Sequence, residues 1–284
     1  MSPLDAILDP LGFPFFVRAL LASTVVGLVC AVVGSYMVLR GLAFMGDALS
    51  HSAFPGVVIA YLLKGPFYLG AAVAAVATSL AIGWVTRRGQ LRGDTAIGVL
   101  FAGMFALGIF LFSRIPNYVG DLFGFLFGEI LGIGDTDLVA LSVLALIVLA
   151  TVAVLWKELL YATFDPLGAA AAGLPVVRLD YLFLALIALT IVISLQAVGI
   201  ILVVAMLVTP AAVGQLVATS FTRLMAVAIA VGVLSPVVGL YLSYWLDAAT
   251  GATIVLVETA IFIVALLARR GRVAVEGRRA AGLA

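Results

Sequence analysis

The chain reads as all-α, a polytopic bundle of membrane-crossing helices, and three observations predict it. Apolar residues make up 65% of the chain and charged residues 10%, with a mean hydropathy of +1.32, far from the balance of a soluble domain. The apolar residues fall in successive runs of about 18 to 25, the length a helix needs to cross a ~30 Å hydrocarbon core. Short units alternating apolar and polar residues are absent, which argues against a transmembrane barrel.

The same composition narrows the function classes. A net charge of +1 with no basic block inside the spans argues against nucleic acid. The single cysteine, Cys30, leaves no partner for an intrachain disulfide and no cysteine cluster for a metal. The first 15 residues hold three prolines and two aspartates but no basic segment, so no cleavable signal is expected there.

Taken in order, the first span is residues 13–39, with Arg18 near one end and Arg40 closing the other. The second, 46–63, is shorter and more polar, carries Asp47 and His51, and is broken by Pro55-Gly56. Residues 67–86 form the third, followed by Arg87, Arg88 and Arg92, and 95–113 form the fourth. The fifth is 137–156, and a long connection, 157–180, follows it. Spans 181–195 and 199–217 are separated only by the weak break at 196–199; 224–246 and 252–268 complete the set. That makes eight or nine transmembrane helices in a single domain, residues 1–284, ending in a basic tail, 269–284.

Residues 118–134 fit no ordinary span. Glycines at 120, 124, 128 and 132 lay a flat strip along one helix face, which invites close contact with a neighbour. Asp121 and Glu129 share another face, too costly to turn toward lipid. The segment is expected to be re-entrant or lodged within the bundle at the outer side, with Asp121, Gly124, Gly128 and Glu129 forming an outer gate. The alternative for Asp121 is a helix cap. With this segment not crossing and the amino terminus outside, twelve of the fifteen lysines and arginines fall on the inner side, as the positive-inside rule asks. The carboxyl end is then cytoplasmic.

Asp47 and His51 are four residues apart, so a helix presents them on one face. A carboxylate oxygen beside an imidazole nitrogen suits a divalent first-row metal, and ionisable groups between spans mark a pathway. The same pair also fits a helix end in the headgroup zone, Asp47 near an N-terminus and His51 bonded to a carbonyl. In the 157–180 connection, Asp165 precedes Pro166 as an N-cap precedes a proline at the first helical position, 168–172 can form a short helix, and Gly173 and Pro175 end it. A short apolar helix there, with Leu174 beside its end, is either a docking surface for a soluble partner or an ordinary connector. No phosphate-loop motif, no H-E-x-x-H and no second histidine occur, so no nucleotide site, zinc-hydrolase centre or catalytic triad is expected in this chain. It does not read as an enzyme.

The run from Leu39 and Arg40 through Gly46, Asp47, Ala48, Leu49, Ser50 and His51 resembles the signature of the permease subunits of ABC importers for manganese, zinc and iron. So do the segments at 94–98, 121–128, 135–137, 164–175 and 196–212, in the same order along nearly the whole chain. The resemblance implies a metal-chelate/cobalamin type permease fold and a homodimer in the bacterial cell membrane. It implies two copies of a cytoplasmic ATPase and an extracytoplasmic metal-binding protein as partners. Carried over by position, Asp47 and His51 match the family's metal-coordinating pair, Asp121 matches a further family position, and Asp165 to Pro175 match its coupling helix. The 135–137 run and the 205–212 stretch look closer to manganese-type members. Glu258, midway along the last span, matches no recognised family acid. The cargo is then Mn²⁺, or Zn²⁺ or Fe²⁺, with no permanently bound cofactor. A twofold axis would bring two Asp47 and two His51 together, an oxygen and nitrogen set that favours Mn²⁺ or Fe²⁺ although Zn²⁺ would still bind. The rival is an ion-coupled secondary transporter using Asp47, His51 and Glu258, which calls for inverted repeats that the sequence does not display.

Overall fold

The computed structural model describes residues 8–89, 91–115 and 130–281, with the backbone alone at 196 and 271–281. Its helices are α1 (Pro14–Leu39), α2 (Met45–Ser52), α3 (Phe54–Leu62), α4 (Phe67–Arg88), α5 (Gly93–Phe112), α6 (Asp135–Val154), α7 (Trp156–Phe164), α8 (Pro166–Ala171), α9 (Val176–Val198), α10 (Ile200–Val217), α11 (Phe221–Leu246) and α12 (Thr250–Ala281). A 3₁₀ turn, Ile130–Gly132, precedes α6, and no strand occurs among the described residues. The all-α expectation holds.

Eight of these helices are long and apolar enough to cross a membrane: α1, α4, α5, α6, α9, α10, α11 and α12. The α2–α3 pair also runs the length of the bundle, as contacts between helix ends show. Arg40, after α1, and Arg87, at the end of α4, both bond Asp180, so α1 and α4 finish at one end of the bundle. Arg18 near the start of α1 pairs with Asp135 at 3.2 Å, and Tyr68 at the start of α4 donates to Asp137 at 2.7 Å. The starts of α1, α4 and α6 therefore share the opposite end, and α2–α3 must travel between the two. Ala53 keeps helical torsions (φ −68°, ψ −26°), while Pro55 in the next turn has no amide to donate, so the rod is broken but not turned back.

The 118–134 segment lies largely outside the described residues. Its flanks bear on the crossing count, because α5 runs back from the Arg87 end and α6 starts at the Arg18 end.

The core sits where α1 presses against α10 and α11. A Cβ at Gly34 would run into the Leu207 carbonyl of α10; without one, the two backbones meet directly, the contact that holds helices together where lipid is as apolar as leucine. Two boundaries differ from expectation. Residues 157–180 are mostly helical, forming α7, α8 and the first turn of α9. And α9 begins at Val176 rather than 181, because Asp180, which interrupts the apolar run, is neutralised by Arg40 and Arg87.

Candidate metal site and the arginine beneath it

The turn that delivers the candidate ligands is set by one glycine. α1 ends with Gly41 at φ +70°, Gly41 N–H bonded to the Val38 carbonyl at 3.1 Å and Leu42 N–H to the Met37 carbonyl at 3.0 Å. This paired cap places its C′ residue in the left-handed region, which favours glycine. Four residues on, α2 starts, with Asp47 in its first turn and His51 in its last. Gly46 faces Leu207 and Val204 of α10, pinning the start of α2 to the core.

Asp47 Oδ1 and His51 Nε2 lie 3.6 Å apart on one helix face, too far for a good hydrogen bond. Their side chains are 51% and 28% exposed. The His51 ring is flanked by Phe101 and Phe105 of α5, at centroid distances of 5.5 and 5.2 Å. Its Nδ1 is buried with no hydrogen-bond partner among the described residues. The pair offers one carboxylate and one imidazole toward open space, which supports the ligand reading over that of a histidine bonded to a carbonyl. Among the described residues no group of three or more His, Cys, Asp or Glu side chains comes together. The gate candidates Asp121, Gly124, Gly128 and Glu129 lie outside the described residues.

The candidate coupling segment folds as its sequence suggests. Asp165 Oδ1 accepts the Gly168 N–H at 2.8 Å and Pro166 opens α8. Gly173, at φ +85°, and Leu174 close it with the same paired cap, Leu174 N–H reaching the Ala169 carbonyl at 3.0 Å. Pro175 then precedes the first turn of α9. Leu167 on this short helix is 84% exposed.

Two features escaped the sequence reading. Arg40 donates from Nε to Thr163 Oγ1 and from Nη1 to Asp180 Oδ1, both at 2.9 Å, and its guanidinium lies 4.5 Å from the Phe183 ring centroid. Burial lowers its pKa, and Asp180 beside it opposes that shift. No local signal could reveal partners more than a hundred residues away. Glu258 is wholly buried in α12, and neither carboxylate oxygen has a hydrogen-bond partner among the described residues. Its place in the last apolar run was visible; its burial was not.

Residues 12–269 match the ABC 3 transport family. The chain is 43% identical over 255 residues to the manganese transport system membrane protein MntC of Listeria monocytogenes, covering 90% of this chain and 91% of that one. It is 42% identical over 278 residues to the manganese transport system membrane protein MntB of Synechocystis, covering 97% and 90%. Over 261 residues it is 42% identical to the chelated iron transport system membrane protein YfeD of Yersinia pestis, covering 92% and 88%. Among solved structures it resembles PsaBC from Streptococcus pneumoniae in complex with Fab, with a TM-score of 0.81, 36% identity and coverage of 92% and 95%. A metal-chelate type ABC transporter in an inward-facing conformation, at 18% identity and a TM-score of 0.70 over 88% and 85% of the two chains, shares the fold.

Proposed function

The chain belongs to the ABC 3 transport family and is the membrane permease subunit of an ABC metal importer, and from that premise we propose that its cargo is Mn²⁺, ahead of Fe²⁺ or Zn²⁺, bound at Asp47 and His51. The observation that carries the assignment is the Asp47/His51 face of α2, two hard-to-borderline donors 3.6 Å apart with no thiolate beside them. Similarity to two manganese transport proteins supports the order of preference. One pair is too sparse for a tight site, so two copies of the chain share the ion across a twofold axis. A sparse set also releases its cargo, as transport requires.

In this reading the Arg40 end of the bundle is cytoplasmic, as is the carboxyl end. The exposed α8, bounded by Asp165, Pro166, Gly173, Leu174 and Pro175, is where each of two ATPase subunits docks. An extracytoplasmic metal-binding protein delivers the ion at the Arg18 end. Asp121, Gly124, Gly128 and Glu129 form the outer mouth.

Asp47→Ala and His51→Ala test the assignment in the complete assembly. Each loses uptake of radiolabelled Mn²⁺ by about 100-fold, since even a residue that only orients a metal ligand is worth 10- to 100-fold. Yield and association with the ATPase remain. Normal uptake by both variants would remove the pair from the pathway.

A further inference from the structure

Arg40 stands where three distant parts of the chain meet. Its two bonds reach 123 residues forward to Thr163 and 140 to Asp180. Asp180 is shared, its second oxygen taken by Arg87 from α4. Only 12% of the Arg40 side chain is exposed. On one side Arg40 caps α1, directly before the Gly41 turn that leads into α2. On the other it holds Thr163, next to last in α7 and two residues before Asp165 opens α8.

The donor directions are fixed. Thr163 Oγ1 donates its own proton to the Leu159 carbonyl at 2.6 Å, so toward Arg40 it acts only as acceptor. A planar guanidinium locked between that oxygen and a carboxylate cannot slide without losing one bond. Beside it, Tyr36 of α1 packs against Trp156, where α7 begins, at a 6.0 Å centroid distance. The α7–α8 arm and the end of α1 are thus joined at both ends of α7. A purely structural staple would serve equally well anywhere along these helices; this one sits at the turn before the cation pair.

We propose that Arg40 is a positioning residue for transport, carrying displacement of the α7–α8 arm through Thr163 to the Gly41 turn and so to the Asp47/His51 face. The proposal rests on the importer reading above. It acts through ligand placement and leaves the ligands themselves untouched.

The test uses the permease assembled with its ATPase in proteoliposomes, with Mn²⁺ as the probe. Mn²⁺ delivered per ATP hydrolysed is measured beside Mn²⁺ binding by calorimetry. Arg40→Met leaves Asp180 paired to Arg87 and, having no donor, removes both links; Thr163→Val keeps the side-chain shape and removes one. Both are expected to bind Mn²⁺ and hydrolyse ATP while delivering about tenfold less Mn²⁺ per ATP, within the usual range of coupling energies. Arg40→Lys, which keeps the charge without the fork, falls between. A Thr163→Val assembly with the wild-type ratio overturns the proposal. So does an Arg40→Met assembly whose uptake falls only in step with its yield. If Arg40→Met does not assemble, Thr163→Val decides alone. Failure of the importer reading looks different: the wild-type assembly itself would import no Mn²⁺, and the Arg40 proposal falls with it.

Discussion

Arg40 and Asp47 are seven positions apart, yet they occupy opposite physical situations. Arg40 is held by Thr163, Asp180 and the face of Phe183, drawn from α7 and α9. Asp47 and His51 face each other at 3.6 Å without a good hydrogen bond and stand partly exposed beside two phenylalanines. A buried ion pair adds little net stability, because desolvation offsets its Coulomb gain. What the Arg40 cluster fixes is geometry, while stability at that end comes from the ring packing beside it. The loose pair is the complement: ligands that bound each other tightly would have to be pulled apart before an ion could enter. On the proposed function, the molecule is rigid where movement would have to pass and open where an ion would come and go.

Removing the packing breaks the rigid side of this contrast most severely. Tyr36 is fully buried, with ring centroids of Phe221, Phe183 and Trp156 at 4.8, 5.9 and 6.0 Å. Tyr36→Ala is expected to lower stability by about 3 kcal/mol, through lost contacts and the cavity left behind, read as a fall in the thermal unfolding midpoint of the purified protein. Mn²⁺ affinity at the pair should hold. An affinity that collapsed together with stability would mean that the two regions are one cooperative unit.

The sequence made the open side far more legible than the rigid one. Asp47 and His51 announce themselves by spacing within eight residues, and the ends of α8 by Asp165-Pro166 and Gly173, all local signals. The apolar runs were enough for the eight long helices because crossing length alone selects them. α7 was read as part of a connection because Lys157 and Glu158 interrupt the apolar pattern, and what anchors it is Trp156 against Tyr36 and Thr163 against Arg40, from more than a hundred residues away. The early start of α9 was hidden for the same reason, since Arg178 and Asp180 look like the end of a loop until Asp180 finds its arginines. Glu258 remains in neither region, a buried acid whose α12 neighbours do not explain it.

Gly41 lies between the two regions and sharpens the boundary. An added Cβ there would meet nothing within 4 Å, yet the residue sits at φ +70°. Gly41→Ala therefore carries a conformational penalty alone, about 1 kcal/mol. Gly41→Asn should recover part of it, because asparagine visits the left-handed region more readily. Denaturation midpoints of the three proteins test the ranking. If alanine and asparagine cost the same, the turn has relaxed away from its paired cap, and Arg40 does not need that cap to lead into α2.

The smallest effect tests what kind of contact makes the arm rigid. Tyr36 Oη donates to the Trp156 carbonyl at 3.5 Å, at the limit where a hydrogen bond contributes little. Tyr36→Phe keeps the ring against Trp156, Phe183 and Phe221 and removes only that hydroxyl. Well-formed hydrogen bonds contribute roughly 0.5–1.5 kcal/mol net, so this one should contribute less than about 0.5 kcal/mol, and the unfolding midpoint should hardly move. With Tyr36→Ala costing several times more, ring packing would account for the stability of this end, and Arg40 would supply its only strong directional bonds to the arm among the described residues. A Tyr36→Phe protein as unstable as Tyr36→Ala would reverse that order: the hydroxyl would then be a second polar strut beside Arg40, carrying stability that the rings do not.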